Sequence, residues 1–135
     1  MSCVDTYVTL RVFSESMHPD EIGLLLGIEA TSAEPRDLES RYRQRREWNF
    51  WAWDTREKDN SLDNLSHINT IVDLLNGKRE RLDSLRSRGC EVDLMSYWVS
   101  DGQGGPWLDV RTMQSLCDLG LEIVWDIYFR NENET

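Results

Sequence analysis

The chain has 135 residues, of which 39% are hydrophobic and 30% are charged, a composition typical of one soluble globular domain. The 25 acidic against 15 basic residues give a net charge of -10, which argues against binding of nucleic acid by the whole surface. No apolar run approaches the roughly 20 residues of a membrane span, and residues 1–5 lack the regions of a signal peptide. We therefore expect a cytoplasmic chain that does not contact a membrane.

Residues 7–13 alternate, with Val8, Leu10 and Val12 on one face, and this predicts a half-buried strand. The next element is predicted to be a helix that starts near Pro19, because acidic residues follow the proline, and ends at Gly27. Residues 28–33 are predicted to form a short second strand.

The middle of the chain begins with five arginines at residues 36–46. They could bind RNA or an acidic ligand, but pairing with the acidic remainder of the chain is the favoured interpretation. Residues 48–53 are predicted to form an aromatic strand. From residue 62 to residue 85 the apolar spacing is helical, and Asn76 with Gly77 predicts either a kink or two consecutive helices before a stop at Gly89.

Residues 91–99 are predicted to form a strand, and a glycine-rich loop follows at residues 100–106. The next helix is predicted to end at Gly120 and to bury an apolar stripe made of Leu108, Val110, Met113, Leu116, Cys117 and Leu119. Residues 121–129 alternate strongly and are predicted to form the last strand.

The order of these elements repeats. A βαβ-like half at about residues 7–34 and another at about residues 91–129 flank the aromatic strand and long helix at about residues 47–88. We expect a single domain, residues 1–135, of the α+β class. Its predicted architecture is a single-layer, mostly antiparallel sheet of about five strands with helices on one face, either ferredoxin-like or built from duplicated βαβ halves.

Several short motifs in this order resemble a known family: residues 18–22 and 25–31, Trp51-Ala52-Trp53, Val92-Asp93-Leu94, residues 97–100, residues 119–122 and Asp126-Ile127-Tyr128. Together they resemble the bacterial domain-of-unknown-function family 4279 (DUF4279), over about residues 7–129. The resemblance implies a compact bacterial cytoplasmic domain and brings no established catalytic residues. Some small acidic bacterial proteins act as immunity partners of toxins, and this analogy informs the functional hypothesis.

Three possible reaction or metal sites are weak. The loop with Gly102, Gly104 and Gly105 lacks the Lys-Ser/Thr pair of a phosphate-binding loop, so a flexible turn is the favoured interpretation. Asp101, Asp109 and Asp126 could form a hard-cation site, but capping of turns and helices is favoured. His18 with Asp20 or Glu21 could be an acid–base pair, but a surface turn is favoured.

The cysteines and histidines add no reactive site. Cys3, Cys90 and Cys117 are distant from one another, and no CxxC pair exists, which argues against a zinc ribbon or a redox disulfide. Free thiols fit the cytoplasm. We therefore expect no catalytic residue, no metal and no cofactor.

The six tryptophans and the second faces of the strands suggest a binding surface instead. If helices cover one side of the sheet, the other side is open and carries aromatic and charged residues. Such residues dominate the energetics of protein–protein interfaces. The predicted binding residues are Arg11, Phe13, Trp51, Trp53, Tyr97, Asp126 and Tyr128.

These features favour a non-enzymatic protein-binding domain, of the immunity type or a regulatory partner, that recognises a basic protein such as a toxin. Self-association through the open sheet face is the other expected use of this surface. The alternative function is a small-molecule sensor or enzyme that uses a pocket between the sheet and the glycine loop. RNA binding by the sheet face and the arginines is a third, disfavoured hypothesis.

Overall fold

The structure is a computed structural model that describes residues 3–39 and 47–130. Four of the five arginines of the basic run lie at residues 40–46, so the interpretation of that run falls outside the described residues. In chain order the elements are β1 (Cys3–Ser14), α1 (Pro19–Leu26), β2 (Ser32–Glu34), β3 (Asn49–Asp54), α2 (Asn64–Leu74), α3 (Arg79–Ser87), β4 (Glu91–Ser100), α4 (Val110–Leu119) and β5 (Ile123–Phe129).

The five strands form one sheet in the order β2-β3-β1-β4-β5. β1 is antiparallel to both of its neighbours, β2 is antiparallel to β3, and only β4 and β5 are parallel. The first four strands have the order of a ferredoxin-like split βαβ fold, which α4 and β5 extend by one strand. The predicted α+β class, with a mostly antiparallel five-stranded sheet, is confirmed.

The hydrophobic core lies between one face of this sheet and the four helices. Val8, Leu10 and Val12 of the central strand are fully buried there, as the alternation of β1 predicts. Each helix adds its own buried side chains to this core, among them Ile22, Leu26, Ile68, Ile71, Leu82, Leu85, Leu116 and Leu119. Full burial of one such aliphatic side chain stabilises the fold by about 1.5–3 kcal/mol. In the described part of the chain, no helix has both the length and the apolar character to cross a membrane.

The long helical pattern is divided into α2 and α3. Gly77, which lies between them, has a φ of 77°, a left-handed conformation that side chains with a Cβ rarely adopt. The predicted helix ends at Gly27 and Gly120 are also correct, because both glycines are left-handed C-caps with φ of 70° and 67°.

Basic side chains of α3 and its N-cap stabilise the C-terminal ends of two neighbouring helices. Lys78 donates from Nζ to the carbonyl of Leu26 at the end of α1, at 3.0 Å. Arg86 donates from Nη2 to the carbonyls of Leu119 and Gly120 at the end of α4, at 2.9 and 2.8 Å. These cations meet the partial negative charge of both helix ends. The bases of this segment are therefore used for intramolecular packing.

Two local predictions are wrong. β2 begins at Ser32 rather than at residue 28, because the N–H of Ile28 bonds to the carbonyl of Gly23 in the turn after α1. In α4 the predicted stripe is misplaced: the helix buries Thr112, Leu116 and Leu119 and exposes Val110, Met113 and Cys117. A polar pair is responsible, since the Thr112 hydroxyl bonds to Oδ1 of Asn69 on α2 at 3.3 Å.

Candidate binding surface on the open sheet face

The face of the sheet opposite the helices is lined by half-buried and exposed side chains. Odd-numbered residues of β1 and β4 point to this face, together with even-numbered residues of β3 and β5, as the strand register requires. We call this surface the open face. Its larger side chains are Tyr7, Arg11, Phe13, Phe50, Asp93, Met95, Tyr97, Val124, Asp126 and Tyr128.

A row of three tyrosines crosses the open face from β1 to β5. The ring centroids of Tyr7 and Tyr97 are 4.7 Å apart, and those of Tyr97 and Tyr128 are 5.6 Å apart. Arg56, from the loop after β3, lies 4.1 Å from the ring centroid of Tyr7 and donates to its hydroxyl at 2.9 Å. Tilted rings at these distances form a continuous apolar surface with polar edges.

Two hydroxyls of this row, those of Tyr7 and Tyr128, have a raised pKa. Burial raises the pKa of Tyr7 more than the nearby Arg56 lowers it. The pKa of Tyr128 is also raised, chiefly by the hydrogen bond from its hydroxyl to the carboxylate of Asp126. At neutral pH Tyr7 and Tyr128 are therefore neutral phenols, and the Tyr7 hydroxyl, which accepts from Arg56, can still donate a hydrogen bond to a bound molecule.

A second aromatic cluster lies at the other end of β1. The rings of Phe13 and Phe50 are 5.2 Å apart, and the guanidinium carbon of Arg11 lies 5.3 Å from the centroid of Phe13. Nε and Nη2 of Arg11 donate to the two carboxylate oxygens of Asp93, each at 2.7 Å. This bidentate geometry fixes the guanidinium plane. Trp48 and Glu91 complete a cavity of about 350 Å³ beside the pair.

The charged side chains of the open face are mostly acidic. Its carboxylates come from both βαβ-like halves and from β3. Among the described residues its cations are Arg11 and Arg56, which are engaged by Asp93 and Tyr7, and Arg130 after the end of β5. The acids meet on one surface because β1 and β4 are adjacent in the sheet. The carboxylates of the described strands on this face are those of Asp5, Glu34, Asp54, Glu91, Asp93 and Asp126, and Glu122 lies just before β5 on the same face.

Five of the seven predicted binding residues lie on the open face, and two do not. Trp51 pairs with Val12, and Trp53 pairs with Leu10, so both tryptophans lie on the helix-covered face. Trp51 is 1% exposed, and Trp53 is half-buried against the core. The prediction that these two residues share the surface with Arg11 is therefore corrected.

Sequence reasoning missed Phe50 and Arg56 as members of the open face. The alternation of β3 shows that Phe50 and Trp51 face opposite sides, but only the pairing with β1 shows which side is covered. Arg56 lies in a loop, where no periodicity indicates the direction of a side chain.

The other candidate residues act as caps and turns. Oδ1 of Asp109 accepts from the N–H of Thr112 at 2.7 Å, and the hydrogen bonds from Thr112 lower the pKa of this carboxyl. Nδ1 of His18 accepts from the N–H of Asp20 at 3.1 Å and caps α1. In the glycine loop, the Ser100 hydroxyl bonds to the backbone of Gly102.

The second histidine belongs to a buried network beneath the β3–α2 loop. The Thr55 hydroxyl accepts from the N–H of Val8 at 3.0 Å and lies 2.6 Å from Nδ1 of His67. Nε2 of His67 lies 2.7 Å from the carbonyl of Ser61, so that both ring nitrogens have partners. The His67 side chain is 1% exposed, and the network holds the loop in place.

A groove of about 610 Å³ lies between α1 and β3 on the helix side. Its walls are mostly apolar and include Leu24, which is 82% exposed. Trp51 forms part of the floor, and its indole N–H has no hydrogen-bond partner among the described residues. The glycine loop does not line this groove.

Comparison with known proteins identifies one family. The model of the family described as "Domain of unknown function (DUF4279)" matches residues 4–130, nearly the whole chain. No curated protein and no solved structure matches the chain.

Proposed function

The chain belongs to the DUF4279 family, and we propose that it is a non-enzymatic domain that binds another protein through the open face of its sheet. The observation that supports this most strongly is the combination of aromatic clusters and surplus carboxylates on that face. The Tyr7–Tyr97–Tyr128 row supplies apolar area with little conformational entropy to lose, as interface hot spots do.

The charge of the open face favours a basic partner. Its carboxylates outnumber its cations, and Glu91 and Asp5 are exposed at its surface. Acidic complementarity of this kind accelerates association with a basic protein and disfavours acidic competitors. It also disfavours nucleic acid, because phosphates would approach carboxylates while Arg11 is already paired with Asp93.

The partner we propose is a basic toxin or a basic regulatory protein in the bacterial cytoplasm, with this chain acting as an immunity-type or regulatory inhibitor. A cytoplasmic setting is supported by three free cysteines, one of which, Cys117, is exposed. An inhibitor needs shape and charge complementarity but no reacting group, which fits the absence of a reaction motif in the sequence.

The test compares two variants of equal net charge. Glu91→Lys with Asp126→Lys reverses two carboxylates of the open face, and Asp73→Lys with Asp118→Lys reverses two exposed carboxylates on the helices. Each double variant changes the net charge from -10 to -6, since each substitution adds two charges. The probes are an array of basic peptides that contain aromatic residues, with acidic peptides of matched length as the counter-set.

We expect the wild type and the helix variant to bind the same basic peptides with similar affinity. The affinity of the open-face variant for these peptides should be at least tenfold lower. Raised salt should weaken the complexes of the wild type. An equal loss of affinity in the two variants would show that net charge alone determines binding. A preference of the wild type for acidic peptides would contradict the proposed basic partner.

A second candidate function is small-molecule sensing in the groove between α1 and β3, supported by the unpartnered N–H of Trp51 at its floor. Gly23 borders the same space, and a Cβ there would lie 3.3 Å from Nε1 of Trp51. A fragment library screened by NMR against the wild type and Gly23→Ala tests it. Hits that Gly23→Ala abolishes support a sensor, and the absence of hits in the groove contradicts it.

A further inference from the structure

β5 is an edge strand of the sheet. It pairs with β4 on one side, and no described strand pairs with its other side. Proteins usually protect such edges with charges, prolines or short strands, because an unpaired edge binds any strand that fits. β5 is seven residues long, and Asp126 is the sole charged residue within it.

The backbone polarity of this edge follows from two hydrogen bonds to β4. The carbonyl of Glu122 accepts from the N–H of Leu94 at 2.9 Å, and the N–H of Arg130 donates to Ser100 at 2.7 Å. Even-numbered residues therefore direct their backbone groups toward β4. Because these directions alternate along a strand, Trp125, Ile127 and the other odd-numbered residues direct theirs to the free edge.

β5 exposes apolar and aromatic side chains on both faces of the sheet. On the helix side, Trp125, Ile127 and Phe129 are 38%, 40% and 68% exposed, and on the open face Tyr128 is 51% exposed. A ligand that covered only one face would leave the other in water. A strand added to the edge covers both faces and pairs the backbone groups.

We propose that β5 pairs antiparallel with β5 of a second copy of this chain, about a two-fold axis at Ile127. A two-fold axis makes one surface complementary to itself, so the same residues must satisfy both copies. With Ile127 opposite its counterpart, the outward backbone groups of the two residues bond reciprocally. Trp125 then lies opposite Phe129 of the second copy, which covers the most exposed ring of the strand.

Apolar contact and charge together select this register. A register centred on Tyr128 would place Asp126 directly opposite Arg130 of the second copy, but it would separate Trp125 from Phe129. With Ile127 at the axis, the charges are also favourable. On the open face, Arg130 of the second copy lies diagonal to both Glu122 and Asp126, within reach of a long side chain, and the arrangement occurs twice. A register centred on Asp126 would instead place that carboxylate directly opposite itself. A register centred on Trp125 would bring Glu122 of one copy diagonal to Asp126 of the other. Like charges in these positions destabilise strand pairing.

The paired sheets form one continuous sheet of ten strands. The open faces of the two copies then lie side by side, with the Tyr7–Tyr97–Tyr128 rows directed toward the shared axis. The pairing does not depend on the proposed function, because the backbone edge of β5 can pair whether or not the open face binds another protein.

The test is the molar mass in solution, measured by light scattering, for charge variants at the two-fold position. The wild type is expected to be a dimer. Ile127→Lys alone and Ile127→Glu alone are expected to be monomers, and an equimolar mixture of the two should restore a dimer. Ser32→Lys, an exposed position on the opposite edge strand β2, is the matched control and should remain a dimer.

A monomeric wild type, or charge variants that remain dimers, would overturn the proposal. So would a mixture of the two charge variants that stays monomeric, because the pairing would then involve a different partner or surface. A crosslinking arm tests the register without adding charge: in a Cys117→Ser background, Ile127→Cys should form an intermolecular disulfide and Trp125→Cys should not. The opposite pattern would contradict the register.

Discussion

Replacement of Arg86 by alanine tests whether α3 holds the end of α4. The Arg86 guanidinium donates to the carbonyls of Leu119 and Gly120 at 2.9 and 2.8 Å, and to the carboxylate of Asp83 at 3.1 Å. Its side chain is 28% exposed, so water can replace only part of these contacts. One hydrogen bond to a charged group contributes about 1.5–3 kcal/mol, and a cation at a helix C-terminus adds about 0.3–1 kcal/mol.

After allowance for solvation of the freed carbonyls, Arg86→Ala should lower the free energy of unfolding by about 2 kcal/mol. Arg88→Ala is the control from the end of the same helix. The Arg88 side chain forms a surface ion pair with Glu21 at 3.7 Å, with both side chains about half exposed, so its loss should cost less than about 0.5 kcal/mol.

The assay is urea unfolding followed by tryptophan fluorescence, with equal m-values required before the free energies are compared. If Arg86→Ala and Arg88→Ala lower the free energy of unfolding by amounts that agree within about 0.5 kcal/mol, the capping role of Arg86 is refuted.

Three further predictions concern stability. Asp59 is subject to burial, which raises its pKa, but the hydrogen bonds from the Ser66 hydroxyl and the Ser61 N–H outweigh this, and the pKa is lowered overall. The stabilisation is therefore present above the unfolded pKa of about 3.9 and is lost as the pH falls through the folded pKa. Urea titrations from pH 6 to pH 3 should show a shallower decline for Asp59→Asn, and parallel curves would contradict this. Gly120→Ala, at a φ of 67° and with Arg86 Nη1 3.2 Å from the new Cβ, should lower stability by about 1–2 kcal/mol in thermal denaturation. Gly105→Ala adds a Cβ in open space and should not lower stability. Equal melting temperatures for the two variants would show that the left-handed cap is unimportant. Thr55→Val removes the buried partner of His67 and of the Val8 N–H, so a loss of about 2–3 kcal/mol is expected in urea unfolding. Thr31→Val, at an exposed site, should lower the free energy of unfolding by clearly less. Comparable losses of stability in Thr55→Val and Thr31→Val would contradict the role of the network.

Much of the fold could be predicted from local patterns. The alternation of Val8, Leu10 and Val12 identifies the central strand, and Gly27 and Gly120 mark helix ends because they adopt the left-handed conformation. The helix after Asp109 is less regular, because Thr112 is buried through a hydrogen bond to Asn69, which is 43 positions away in sequence. A polar residue paired across such a distance leaves no signal in hydrophobic periodicity.

The binding surface was predictable only in part, for a related reason. Alternation separates the two faces of each strand but does not show which face the helices cover. In β1 and β4 one face is clearly apolar, so the sequence alone predicts that Arg11 and Tyr97 lie on the open face. In β3 both faces are aromatic, so the pairing of Trp51 with Val12 was needed to place that tryptophan in the core.

The use of the open face as a protein-binding surface can be measured by the NMR amide shifts of the isotope-labelled chain. The ligand for this titration is the tightest basic peptide from the array. We expect the largest shifts in β1, β4 and β5 around Arg11, Tyr97 and Tyr128, and we expect the affinity to fall as salt is raised. Shifts centred on Leu24 and Gly23 in the groove between α1 and β3, or on the exposed sides of the helices, would contradict the proposed binding surface.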